Sequence, residues 1–549
     1  MNVKPVLATA LLLLSLIACN DQRKSVQSMT HDSATAAPSP QDMVLEEYVT
    51  ANKPPESETV HFTPPLIVKD EELKQESLNT EEYAPIIEND FQRPAQAPLS
   101  TFSIDVDEAS YSNVRRYITG GEMPPPGAVR IEEMINYFDY TYPQLTGDQP
   151  FELITETAPC PWNKEHRLVH IGLQGKVIPV ENLPASNLVF LIDVSGSMEE
   201  PNKLPLVQAS MRMLTKQLRP KDKVAIVVYA GNAGLVLPPT AGSDKESILE
   251  AIDQLEAGGS TAGGEGIQLA YAVARKHFIK EGNNRIILAT DGDFNVGMSS
   301  DDELVRLIEK ERNSGIFLSV LGFGMGNYKD SKMQLLADKG NGNHSYIDGI
   351  QEAQKVLINE FGSTLFTIAK DVKIQVEFNP ALVAGYRLIG YENRMLASED
   401  FNDDTRDAGE LGSGHTVTAL YEIIPVGVNS PFLRSVDPLK YQSNQQQTVP
   451  SKELMTIKLR YKQPAGDKSD LITRSVADNA QTLTATSDNF RFSAAVAAFG
   501  LLLRQSAYKQ QASYDMVIEL ARSARGNDEN GYRAAFIQLV QSASSLVRK

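Results

Sequence analysis

Three short segments concentrate oxygen donors that could hold a small hard cation. The first is Asp193-Val194-Ser195-Gly196-Ser197, the second Gly258-Gly259-Ser260-Thr261-Ala262-Gly263-Gly264, and the third Thr290-Asp291-Gly292-Asp293. Carboxylates and hydroxyls suit Mg²⁺, which keeps several waters and takes few protein carboxylates. Two carboxylates would roughly neutralise a divalent ion. Hydroxyls add no charge, so such an ion would stay electrophilic toward one more ligand.

Other chemistries fit less well. Ser195 is not a hydrolase nucleophile elbow, because Asp193 stands where Gly-x-Ser-x-Gly needs glycine. The Gly258–Gly264 loop lacks the Lys-Ser/Thr of a P-loop. Gly322-Phe323-Gly324-Met325-Gly326 approaches a dinucleotide fingerprint, but Asn327 replaces its third glycine, and a structural turn is expected. Asp291-x-Asp293-x-Asn295 begins like a calcium loop, yet Val296 occupies the required glycine position. Asp105-x-Asp107 has Ala109 where an aspartyl phosphatase needs Thr or Val, and reads as a solvated turn. His166 and His170 sit on a strand-like run, where four-residue spacing makes no helical ligand face. No catalytic residue is assigned and no enzyme is expected.

The elements that must position the oxygen donors alternate strand and helix. Leu188–Ile192 is a continuous apolar run, as in a parallel strand covered on both faces. Leu204, Val207, Met211, Leu214 and Leu218 repeat at helical spacing. Val224–Tyr229, Ile286–Ala289, Ile316–Phe323 and His344–Ile347 read as further strands, separated by helical stretches at Ile267–Phe278 and Asp301–Arg312. This predicts an α/β, Rossmann-like fold with a mostly parallel sheet and helices on both faces. Ligands in such a fold bind past the carboxyl ends of the strands, where the oxygen-rich segments lie.

The Asp-x-Ser-x-Ser segment, a Thr in a Gly-rich loop and Thr-Asp-Gly after a later strand, in that order, resemble the von Willebrand factor A (vWA) domain and its metal-ion-dependent adhesion site. The resemblance implies Mg²⁺ or Mn²⁺ held by the hydroxyls of Ser195, Ser197 and Thr261, with Asp193 and Asp291 binding directly or through water. It also implies a protein partner that presents a carboxylate to the metal. The segments SIDVDEASYSNVRRYI and PPPGAVRIEEMINYFDY within Leu99–Pro143, and the stretch from Leu471 onward, resemble the flanking modules of a family of bacterial vWA lipoproteins.

The rest of the chain fits an anchored envelope protein. Residues 1–18 carry Lys4 and an apolar run from Val6 to Ala18, too short to span a bilayer but suited to a signal peptide. Leu16-Ile17-Ala18-Cys19 resembles a lipobox, which implies lipidation of Cys19. Asn20 after the cysteine implies the outer membrane of a Gram-negative envelope. Residues 19–98, with nine prolines, are expected to be a disordered tether. Further boundaries are expected at 99–184 for an N-terminal α+β module and 185–362 for the vWA domain. A β-rich module is expected at 363–465, its strands forming one sandwich with those from 151–173, and then a mainly helical extension at 466–549.

Of 549 residues, 70 are acidic and 52 basic, a net charge of −18, which argues against nonspecific binding to nucleic acid, whose phosphates need a basic face. Only Cys19 and Cys160 occur, so there is no disulfide framework and no Cys-rich zinc site. Cys160 is expected as a packed structural residue. The expected function is metal-dependent protein–protein interaction or adhesion. The alternative is an accessory subunit that recruits an ATPase or assembles an envelope complex.

Overall fold

The computed structural model describes residues 81–104, 107–145, 147, 149–260, 263–292, 301–360, 366–406, 408–433, 451–464 and 466–548. Cys19, the signal segment, most of the expected tether and Thr261 lie outside them.

In chain order, β1 (Leu99–Ser103), α1 (Ala109–Thr119), α2 (Ile131–Asn136), β2 (Phe151–Cys160) and β3 (Asn163–Gly175) precede an α/β unit. That unit comprises β4 (Ser186–Asp193), α3 (Leu204–Gln217), β5 (Lys223–Tyr229), β6 (Ala233–Ala241), α4 (Lys245–Asp253), α5 (Gly263–Lys276), β7 (Asn283–Thr290), α6 (Asp301–Asn313), β8 (Ile316–Phe323), α7 (Asp330–Lys339), β9 (His344–Ile347) and α8 (Ile350–Gln354). Then come β10 (Thr367–Phe378), β11 (Val383–Ile389), β12 (Gly409–Gly412), β13 (Thr416–Pro425), β14 (Glu453–Lys462) and β15 (Ser469–Ala477). The helices α9 (Asp488–Leu503), α10 (Tyr514–Ser523) and α11 (Tyr532–Val547) follow.

Among the described residues, the α/β unit forms one sheet in the order β6-β5-β4-β7-β8-β9. Neighbours from β5 to β9 are parallel. Only β6, an edge strand, runs antiparallel to its neighbour. Every residue of β4 is buried. Its alternating side chains enter two cores: Leu188, Phe190 and Ile192 face α3 and α4, while Val189 and Leu191 face α5 to α7. That double burial explains the unbroken apolar run.

The remaining strands form two antiparallel sheets, β11-β13-β3-β2 and β1-β10-β14-β15, with β12 also on β10. Strand β13 pairs with β3 across the inserted α/β unit, Val417 opposite Leu173 and Tyr421 opposite Val169. Val169, Ile171 and Tyr421 from one sheet share a core with Ile374, Val376 and Ile457 from the other, so the sheets make a sandwich. A fourth core joins α1 and α2 to the C-terminal helices, where Phe138 meets Phe492 edge-on at 4.9 Å.

Several expectations are corrected. Residues 81–98, assigned to the tether, lie against the folded body. The Glu82 N–H donates to the Tyr328 carbonyl (3.1 Å), and the Glu82 carbonyl accepts from the Asp330 N–H (3.2 Å). Strand β15 extends the β-rich module past residue 465, to Ala477. Asp107 is not a solvated turn residue: it is 1% exposed and accepts from the His344 N–H (2.8 Å), Gln334 and Arg394 (3.1 Å each). Cys160, by contrast, is packed as expected: it is buried in the helical core, and burial holds its thiol well above the ordinary range.

Candidate metal centre

The donors sit where parallel strands end. Asp193 closes β4, and Asp291 follows β7 on the adjacent strand. Both carboxylates are fully buried, Ser195 is 2% exposed, and Ser197 is exposed at the rim. The site therefore meets solvent at Ser197.

The turn after β4 is braced from within. The Ser195 N–H donates to Asp193 Oδ1 (2.9 Å), and the Ser195 and Ser197 hydroxyls lie 3.1 Å apart. The Thr290 hydroxyl donates to Asp193 Oδ2 (3.3 Å). The Gly258–Gly259 turn is tied to the same segment, the Gly258 N–H donating to the Val194 carbonyl (2.8 Å) and the Gly196 N–H to the Gly259 carbonyl (3.0 Å). Gly259 has φ +83°, a conformation side chains disfavour. Thr261, two residues on, lies outside the described residues. Four of the five expected donors are thus brought together.

The electrostatics fit a cation. Burial pushes the Asp193 carboxyl up to about 6, with the Asp291 charge adding to it and the Ser195 hydrogen bonds opposing it. Burial also pushes Asp291 up. The Lys203 charge, with hydrogen bonds from Ser197, Lys203 and Asn327, outweighs this and holds Asp291 below its ordinary value. Two buried, mutually repelling carboxylates beside two hydroxyls are a donor set that a divalent ion would satisfy. Among the described residues no group of three or more His, Cys, Asp or Glu side chains could hold a metal, so an ion bound here would need the hydroxyls as well.

Sequence reasoning missed two neighbours. Lys203 Nζ donates to Asp291 Oδ2 at 3.1 Å, and Asn327 Nδ2 donates to the same oxygen at 3.2 Å. Asn327 is the residue that breaks the apparent dinucleotide fingerprint. Nothing local marks either residue, because the topology of β7, β8 and α3 makes the contact.

A doubly wound sheet carrying Asp-x-Ser-x-Ser and Thr-Asp at adjacent strand ends defines a vWA-domain protein. Residues 188–293 match the family "von Willebrand factor type A domain", residues 77–170 match "von Willebrand factor", and residues 363–546 match "Uncharacterized protein YfbK, C-terminal". The chain is 46% identical over 476 residues to the uncharacterized protein YfbK of Escherichia coli K12, covering 85% of this chain and 82% of that one. It belongs to the YfbK family.

A UPF0353 protein of Mycolicibacterium gilvum is 30% identical over 149 residues, 25% of this chain and 44% of the relative. Among solved structures, a vWA protein from Catenulispora acidiphila aligns over 82% of this chain and 91% of its own, at 13% identity and TM-score 0.38. BatB from Bacteroides thetaiotaomicron aligns over 32% of this chain and 97% of its own, at 23% identity and TM-score 0.28.

Proposed function

We propose that this protein is a non-catalytic recognition module of the bacterial cell envelope. Its vWA domain holds Mg²⁺ or Mn²⁺ through Asp193, Ser195, Ser197, Asp291 and Thr261, and the metal accepts a carboxylate from a protein partner. The observation that carries this reading is the pairing of two buried carboxylates with two hydroxyls at adjacent strand ends, open to solvent at Ser197. When bound, the metal would supply an electrophilic centre for an acidic side chain. The chain's own residues supply the rest: Thr290 and the Ser195 N–H orient Asp193, while Lys203 and Asn327 orient Asp291.

The anchor rests on sequence. Cys19 in its lipobox-like context supports lipidation, and Asn20 supports the outer membrane. Among the described residues, no helix is long and apolar enough to cross a membrane.

Pull-down from envelope extracts, with and without Mg²⁺, tests the recognition role. A partner retained in Mg²⁺, released by EDTA and lost in Asp193→Ala supports it. A partner bound equally by Asp193→Ala contradicts it. Release of Cys19→Ser from the membrane fraction tests the anchor separately.

A further inference from the structure

A buried lysine inside a cation site calls for a reason. Lys203 is 4% exposed, and Asp291 is the acidic group to which it is bonded. Its stem runs beneath Gly324, which has φ +76°; a β-carbon there would come within 2.7 Å of Lys203 Cγ. The loop after β8 thus leaves room for the lysine while presenting Asn327 to the same carboxylate. A buried ion pair of this kind contributes little net stability, because desolvating two charges offsets most of their attraction. Its effect falls on the charge of the site.

Asp193 and Asp291 contribute two negative charges and Lys203 one positive, so the site is singly negative before metal binds. A divalent ion makes it singly positive, and a carboxylate from outside returns it to neutral. Without the lysine the same three states would be doubly negative, neutral and singly negative. With both carboxylates and the lysine buried, each excess charge is costly.

We infer that Lys203 makes metal and acidic ligand bind interdependently, opposing metal alone and favouring metal together with a carboxylate. The inference rests on the metal-bridged recognition proposed above and assigns its specificity to a residue outside the expected donor set.

The test is calorimetric titration of Mn²⁺ into the full chain, in chloride and then in acetate of equal ionic strength, with acetate as the carboxylate probe. Wild type should bind Mn²⁺ weakly in chloride and several-fold tighter in acetate. Lys203→Met should bind Mn²⁺ alone about tenfold tighter or more, with the acetate enhancement largely lost. Lys203→Gln keeps a polar head toward Asp291 and should behave similarly, which guards against a methionine variant that folds poorly.

The inference is overturned if acetate does not tighten Mn²⁺ binding by wild type, or if folded Lys203 variants bind Mn²⁺ no tighter. Asp193→Ala separates the two levels. If it abolishes Mn²⁺ binding while the lysine variants change nothing, the metal site stands and the lysine role falls. If wild type and both lysine variants bind no Mn²⁺, both fall.

Discussion

Asn136 pairs with Thr418 as a neighbouring strand would. Its Oδ1 accepts from the Thr418 N–H at 2.7 Å, and its Nδ2 donates to the Thr418 carbonyl at 3.1 Å. Strand β11 ends at Ile389 opposite Leu420, so this side chain takes over the ladder where the strand runs out. The contact ties α2 to the sandwich across 282 residues of chain. Replacing Asn136 with Ala leaves the buried Thr418 N–H unpaired, while the Thr418 carbonyl keeps the Tyr391 hydroxyl (2.8 Å), and should cost about 1–3 kcal/mol in denaturant unfolding. An unchanged midpoint and slope would contradict this role.

The Arg130–Asp330 pair (2.6 Å) links the N-terminal module to α7 of the vWA domain, and both side chains are almost fully buried. Arg130→Met strands a buried carboxylate and should destabilise by about 3–5 kcal/mol. The double variant Arg130→Met/Asp330→Leu should recover much of that loss. A double variant no better than the single one would show that the pair is not the source of the cost.

His170 is buried beside the Tyr142 hydroxyl (3.0 Å), and burial lowers its pKa from 6.5 to about 3. Above pH 6.5 the ring is neutral in both the folded and unfolded chain. Below it, the unfolded chain takes up a proton and the native one does not, until about pH 3. Stability should therefore fall on acidification through this window, by about 1.4 kcal/mol per pH unit from this residue alone. His344 acts in the same direction and Asp107 in the opposite one, so the wild-type slope is composite. Urea unfolding of His170→Phe between about pH 7 and pH 4.5 isolates the contribution. The variant's slope should be shallower by about one proton, and an identical slope would refute the assignment.

Glu81 accepts from Arg116 (2.8 Å), Tyr117 (2.6 Å) and the Gly326 N–H (2.9 Å), fastening the N-terminal strap to the loop that carries Asn327. Glu81→Ala should lower stability by about 2–3 kcal/mol. It should also raise hydrogen exchange in residues 324–329. Exchange unchanged there would show that the strap does not brace the loop.

The central sheet was readable because its strands are buried on both faces: Leu188–Ile192 could hardly be anything else. Edge strands were not. Strand β6 has Leu235 and Val236 exposed and two prolines, so it lacks the apolar run that marked β4 and β5. Strand β11 went unmarked because Gly385 and Arg387 interrupt its pattern. Arg387 is nonetheless buried against Glu422 (3.1 Å), a partner no local signal could supply. The order around Glu81 and Tyr83 was hidden for a similar reason. Polar residues in a Pro-rich stretch read as solvated until their partners, Arg116 and Tyr117, are known from the fold. At the candidate metal centre the oxygen-donor types and spacing were legible, but Lys203 and Asn327 were not, because they reach Asp291 from other elements of the fold.

Calorimetric titration of Mg²⁺ or Mn²⁺ into the full chain, followed by denaturant unfolding, tests the metal centre most directly. Wild type should bind one divalent ion at this site and gain stability with concentration, by about 2.7 kcal/mol at a hundredfold excess over Kd. Asp193→Ala and Asp291→Ala should lose both the binding and the gain. A wild type that takes up no ion, or an Asp193→Ala variant stabilised equally, would contradict the account.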